Sequence, residues 1–153
     1  MIKTLRIYVD TSVFGGCFDN EFAEASLALF KEIQAGKFIL VISSLTTQEL
    51  DKAPARVQRV LTEISADRLE VIPDSPVINQ LRDAYLTAKV VGASSLADAQ
   101  HIAAASVAEV DMVVSWNFRH IVHYEKISGY HAVNLLNGYK PIPTYSPREV
   151  VSL

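Results

Sequence analysis

Four side chains stand where this chain can do chemistry: the carboxylates of Asp10, Glu49 and Asp98 and the amide of Asn117. Asp10 closes the apolar stretch Leu5-Arg6-Ile7-Tyr8-Val9 and is followed by two hydroxyls, Thr11 and Ser12. A buried strand gains nothing by ending in a carboxylate, so Asp10 asks for a functional reason. Glu49 falls in the helix after a second apolar stretch. Asp98 opens an alanine-rich helix, with Ile102 and Ala105 four and seven residues on along its face. Asn117 comes two residues beyond a fourth strand. Carboxylates a few Å apart repel and do not all stay ionised without a cation. Magnesium accepts one or two such oxygens in octahedral geometry and keeps several waters. Gathered in one place, these groups would activate a bound water and screen a scissile phosphate, the metal-assisted route to phosphodiester hydrolysis.

The alternative for each is structural. Thr46-x-x-Glu49 and Ser95-x-x-Asp98 both fit the capping box, in which an acid three residues into a helix reaches back to the N-cap amide. Asp10 would cap the turn behind it, and Asn117 would be an ordinary loop residue. Capping, however, does not require all the acids to meet at one edge of a sheet.

The elements that must position them follow from hydrophobic periodicity. Strands are expected at residues 5–10, 37–43, 69–72 and 111–115; the second is apolar almost throughout, as in a parallel sheet buried on both faces. Between them the three-and-four spacing of apolar residues predicts helices over 20–35, from 44, from Pro54, over 76–91 and over 96–109. Gly36 suits the end of the first helix and Pro54 the first turn of another. The tail reads as a helix over 122–136, an extended segment over 140–145 and a last capped turn from Ser146. Strands alternating with helices imply a parallel sheet wrapped on both faces. Such a sheet puts its carboxyl ends on one edge, where ligands bind.

The chain has 153 residues, half of them hydrophobic and a fifth charged, which suits one folded domain spanning 1–153. No apolar run is long enough to span a bilayer, and the first residues lead into a strand without a signal-peptide core. One cysteine, Cys17, forms no intramolecular disulfide, so a cytoplasmic setting is expected. The formal charge of −3 argues mildly against a broad nucleic-acid face, although acids clustered around a metal would leave the remaining surface closer to neutral. There is no cysteine–histidine cluster for structural zinc.

Tyr8-Val9-Asp10-Thr11-Ser12-Val13, Thr47-Gln48-Glu49-Leu50, Leu96-Ala97-Asp98-Ala99-Gln100-His101-Ile102-Ala103-Ala104-Ala105 and Val114-Ser115-Trp116-Asn117-Phe118-Arg119-His120 resemble, in order, the four motifs of the PIN domain. This is a family of metal-dependent ribonucleases, many of them toxins of bacterial toxin–antitoxin pairs. The resemblance covers nearly the whole chain. It implies a three-layer α/β/α sandwich with a central, mainly parallel sheet and an acidic pocket for Mg²⁺ or Mn²⁺. It also implies an RNA substrate, an antitoxin partner and a homodimer, with no membrane association. Asp10, Glu49 and Asp98 would take the family's three acidic places, and Thr11 or Ser12 would hold a metal-bound water or a ligating carboxylate. Asn117 falls where many members carry a fourth aspartate, although Trp116-Asn117-x-x-His120 also resembles a version within the family; an amide ligates through its oxygen but brings no charge to hold a second metal.

Of the remaining residues, Arg119, His120 and His123 are either phosphate contacts or surface, and Trp116 either stacks on a base or packs. His101, one turn after Asp98, is either a ligand or a satisfied core histidine. Residues Leu27, Leu29, Phe30 and Ile33 read as core, with a dimer patch as the other use. Asp111 begins the fourth strand and belongs to the opposite edge. Two competing functions stand beside the nuclease: a degenerate domain that binds RNA or protein without cutting, and an aspartyl-phosphate phosphatase on Asp10. The latter usually needs an aspartate two residues on, where this chain has Ser12.

Overall fold

The computed structural model describes residues 3–151. Five parallel strands form one sheet in the order β3-β2-β1-β4-β5. They are β1 (Leu5–Val9), β2 (Phe38–Ser43), β3 (Leu69–Ile72), β4 (Met112–Val114) and β5 (Thr144–Tyr145). Strand β1 is central, paired in register with β2 (Tyr8 opposite Val41) and with β4 (Tyr8 opposite Val113).

Alternation along the strands divides the core. Tyr8, Val41 and Val113 face one side, under α5 (Pro76–Thr87), α6 (Leu96–Val107) and α7 (Tyr124–Leu136). Ile7, Val9, Leu40, Ile42 and Val114 face the other, under α1 (Thr11–Gly16), α2 (Ala23–Gln34), α3 (Ser44–Asp51), α4 (Ala55–Thr62) and α8 (Pro147–Val150). Full burial of side chains such as Ile7 and Leu40 contributes roughly 1.5–3 kcal/mol each. The result is the expected α/β/α sandwich. No helix among the described residues is long and apolar enough to cross a membrane.

Several boundaries differ from the periodicity reading. The glycine-containing passage after Asp10 is a helix, α1, because the chain turns helical at once behind the extended Asp10. Glycine at 16 is a packing requirement: a Cβ there would lie 2.7 Å from Ser26 Oγ and 2.8 Å from Trp116 Nε1. Helix α2 starts at Ala23 rather than 20. Helix α5 stops at Thr87 rather than 91, where Lys89 takes a positive φ of 60°. The extended tail segment joins the sheet as β5, the edge strand beside β4.

Candidate active site

The carboxyl ends of β1, β2 and β4 and the start of α6 bring the sequence-predicted residues to one edge. Asp10 sits directly behind β1, its amide donating to Val114 O at 3.3 Å, so the ends of β1 and β4 are tied together there. Its carboxylate, only 4 % exposed, makes no cap bond to α1. Ser12 Oγ donates to Oδ1 at 2.6 Å and Ser115 Oγ to Oδ2 at 3.0 Å. Both hydroxyls are themselves fixed as acceptors, Ser12 from the Trp116 amide (3.0 Å) and Ser115 from the Asn117 amide (2.9 Å).

Glu49 is not a capping residue either. The box that starts α3 is made by Ser43 and Thr46, with the Ser43 amide donating to Thr46 Oγ1 at 3.2 Å. Glu49 lies a turn further on. Its Oε1 accepts two donors, Thr11 Oγ1 at 2.6 Å and His101 Nε2 at 2.7 Å. Asp98, in the first turn of α6, makes no bond back to the helix start; its Oδ1 accepts Asn117 Nδ2 at 3.0 Å.

Asn117 lies beside Asp98, with its amide oxygen turned towards the backbone. Its oxygen accepts the backbone amides of His120 (2.9 Å) and Arg119 (3.2 Å). Only this orientation of the carboxamide serves both the two N–H donors and the carboxylate. In this arrangement the amide nitrogen of Asn117 holds Asp98 while its oxygen organises the following turn.

Electrostatics tie the acids to one another. Burial pushes the Asp10 carboxyl above the ordinary aspartate range, against the charge of His101 and the hydrogen bonds of Ser12 and Ser115, with Glu49 pushing further up. Burial likewise raises Asp98, against the charges of His120 and His101. Glu49 goes the other way: burial would raise it, but the hydrogen bond and charge of His101 and the Thr11 hydrogen bond hold it low. His101 is 3 % exposed. Burial would lower its pKa; Tyr8, the Glu49 hydrogen bond and the charge of Asp10 outweigh that and raise it to about 10.

These groups suit a hard divalent cation by donor type, since all are carboxylate oxygens. Glu49 Oε2 and Asp98 Oδ2 carry no hydrogen bond from the described residues, and buried acids forced upward in pKa gain from a cation nearby. Among the described residues no three His, Cys, Asp or Glu side chains are already gathered as an ion cage. Magnesium does not need one, because it retains several waters and takes one or two carboxylates directly.

Sequence reasoning missed Ser115 and Tyr8 as parts of this edge. Ser115 carries a signal, a small hydroxyl at a strand end beside Asp10; Tyr8 carries none beyond its place two residues before Asp10 on the same strand face. Trp116 is packed, stacked on Phe22 with centroids 4.2 Å apart and donating Nε1 to Ser26 Oγ at 2.8 Å. His120 Nδ1 is buried with no hydrogen-bond partner among the described residues. Arg119 and His123 are exposed. Cys17 is buried, its thiol pushed up to about 11 by that burial, and is chemically quiet. Asp111 is at the far edge, accepting from the Arg6 amide (2.8 Å) and Lys3 Nζ (3.1 Å).

A parallel sheet wrapped by helices, with acids drawn to its carboxyl edge, defines a class, the α/β proteins whose ligands meet the chain at that edge. Within that class, the family model of the PIN domain matches residues 7–124, and the chain belongs to the PIN domain family, a family of nucleases. No curated protein matches the sequence. Among solved structures the fold is similar to VapBC2 from Rickettsia felis bound to a DNA fragment from their promoter (TM-score 0.57, 14 % identity, 93 % of this chain and 98 % of that one). It is also similar to tyrosyl-tRNA synthetase from Aeropyrum pernix (TM-score 0.51, 12 % identity), covering 94 % of this chain and 53 % of that one. At such identities the likeness is one of fold.

Proposed function

We propose that the protein is a Mg²⁺- or Mn²⁺-dependent endoribonuclease, acting as the toxin of a toxin–antitoxin pair. The observation that supports it best is the placing of Asp10, Glu49 and Asp98 at one sheet edge, each held by a side-chain donor instead of capping a helix. When bound, the cation supplies Lewis-acid activation of water and screens the phosphate charge.

The chain's own residues do the rest. Asp10, fixed by Ser12 and Ser115, is the central acid. Glu49 and Asp98 present their second oxygens, and Thr11 fixes the former as Asn117 fixes the latter. The order of the four motifs, the PIN family match and the likeness to VapBC2 support a protein antitoxin as partner; a second copy of the chain as dimer mate is proposed from the family resemblance alone. Expression in a bacterial host tests this. Wild-type protein is expected to arrest growth with fragmentation of cellular RNA, whereas Asp98→Asn leaves growth normal. Arrest by both alike would contradict the reading.

One observation favours a second reading, a PIN-like domain that binds RNA or protein without cutting: Asn117, an uncharged amide, stands beside Asp98 where a fourth carboxylate would add charge for a metal. Thermal melting with Mn²⁺ separates the two, because a non-catalytic domain of this kind gains no stability from the metal.

A further inference from the structure

His101 is a buried polar residue of α6, with the buried, apolar Ala104 and Ala105 three and four positions on along its face. A leucine would fill that space with no partners to find, whereas a buried imidazole is costly unless both nitrogens are satisfied. Both are. Nε2 lies 2.7 Å from Glu49 Oε1, and Nδ1 lies 2.6 Å from the hydroxyl of Tyr8. That hydroxyl is anchored in turn by Ser43 Oγ at 2.8 Å and lies 3.4 Å from Thr46 Oγ1. The Tyr8 ring packs edge-on against the imidazole, with centroids 5.7 Å apart. With both nitrogens engaged and the ring enclosed, His101 has no lone pair to offer an ion.

We propose that His101, braced by Tyr8, is a positioning residue that fixes Glu49 so that Oε1 is satisfied and Oε2 faces the cation site. The inference rests on the metal-dependent reading above. Two donors on one oxygen, Thr11 and His101, remove the freedom of the carboxylate to swing or to bind through both oxygens. The role does not depend on protonation. In the cation both ring N–H groups donate, and Tyr8 accepts; in the neutral ring Tyr8 donates to Nδ1, and Nε2–H still points at Glu49. The hydroxyl adapts because it can both donate and accept.

The test is Mn²⁺ affinity, measured by calorimetry on folded protein, for wild type, His101→Leu, His101→Gln and Tyr8→Phe, with a circular-dichroism melt of each. Leucine refills the space without a donor, while the glutamine amide carries an N–H close to where Nε2 stands. Loss of such an outer hydrogen bond typically lowers metal affinity by about 10–100-fold. His101→Leu is expected to fall in that range, His101→Gln to recover most of the affinity, and Tyr8→Phe to show a smaller loss. Equal affinity in His101→Leu and His101→Gln would overturn the role of His101. If neither folds, unchanged affinity in Tyr8→Phe overturns it. Wild-type protein that binds no Mn²⁺ would instead overturn the metal-dependent reading itself.

Discussion

Asn117 Nδ2 donates to Asp98 Oδ1 across 3.0 Å, so the amide behind β4 and the acid that opens α6 act as one unit. The amide supplies what a fourth aspartate would not, a donor that holds Asp98 in the absence of a cation. It supplies this while its oxygen organises the turn that carries Arg119 and His120.

That pairing sets an exchange. Asn117→Asp would replace a donor by a like charge facing Asp98, and losing a hydrogen bond to a charged group costs about 1.5–3 kcal/mol. The metal-free variant is expected to melt below wild type, and added Mn²⁺ to raise its melting temperature by more than it raises that of wild type. A thermal-melt pair with metal and with chelator reads both effects. A smaller Mn²⁺ shift in the variant would contradict the holding role of Asn117.

Asp10 depends on its two serines in the same way. Ser115→Ala strips one donor from a carboxylate that is almost wholly buried, and an unsatisfied buried group costs about 1–3 kcal/mol. Denaturant unfolding should show a loss in that range without a change in slope. A loss below a few tenths of a kcal/mol would mean that Asp10 is held by other means.

The pH dependence of the metal-free protein has a defined sign. A group whose folded pKa lies above its unfolded value stabilises fully below the unfolded value and loses that contribution as pH rises through the folded one. His101 moves from 6.5 to about 10, so its contribution drains away between those values. Asp10 and Asp98, raised by burial, also favour lower pH, beginning near 3.8. Glu49, held low, contributes above 4.5 and loses its contribution only as pH falls. The melting temperature of chelator-treated protein should therefore fall from pH 6.5 towards 10, and more steeply than in His101→Leu. A flat profile in wild type would show that the Tyr8–His101–Glu49 chain carries no such charge.

Gly16 links the core to the site loop. Gly16→Ala places a methyl within 2.8 Å of Trp116 Nε1 and 2.7 Å of Ser26 Oγ, and overpacking of this kind typically costs about 1–3 kcal/mol. Because Trp116 precedes Asn117, the variant should also bind Mn²⁺ more weakly. An unchanged melting temperature would show that the indole gives way without cost.

The positions of these groups were largely legible in the sequence, but their partners were not. Strand period and motif order put Asp10, Glu49 and Asp98 at one edge. The capping patterns pointed elsewhere: Thr46 completes a box with Ser43 rather than with Glu49, which local spacing alone does not decide. The partners of Asn117 were hidden because its orientation is set by backbone amides that exist only once the turn has formed. His101 was ambiguous because its partners, Tyr8 and Glu49, come 93 and 52 positions earlier. Helix α1 was hidden by two adjacent glycines, whose reason, at Gly16, lies at Trp116. Strand β5 was hidden by Pro141 and Pro143, residues tolerated at a sheet edge but not at its centre.

The central claim is tested most directly by incubating a mixed RNA pool with the purified protein in Mn²⁺, in chelator, and beside Asp10→Asn. Cleavage that requires the metal and vanishes in Asp10→Asn is the predicted result. A wild-type protein that binds Mn²⁺ but cuts only one RNA of the pool would agree with it and narrow the substrate. Cleavage that persists in chelator or in Asp10→Asn, or a wild type that neither binds Mn²⁺ nor cuts, would contradict it.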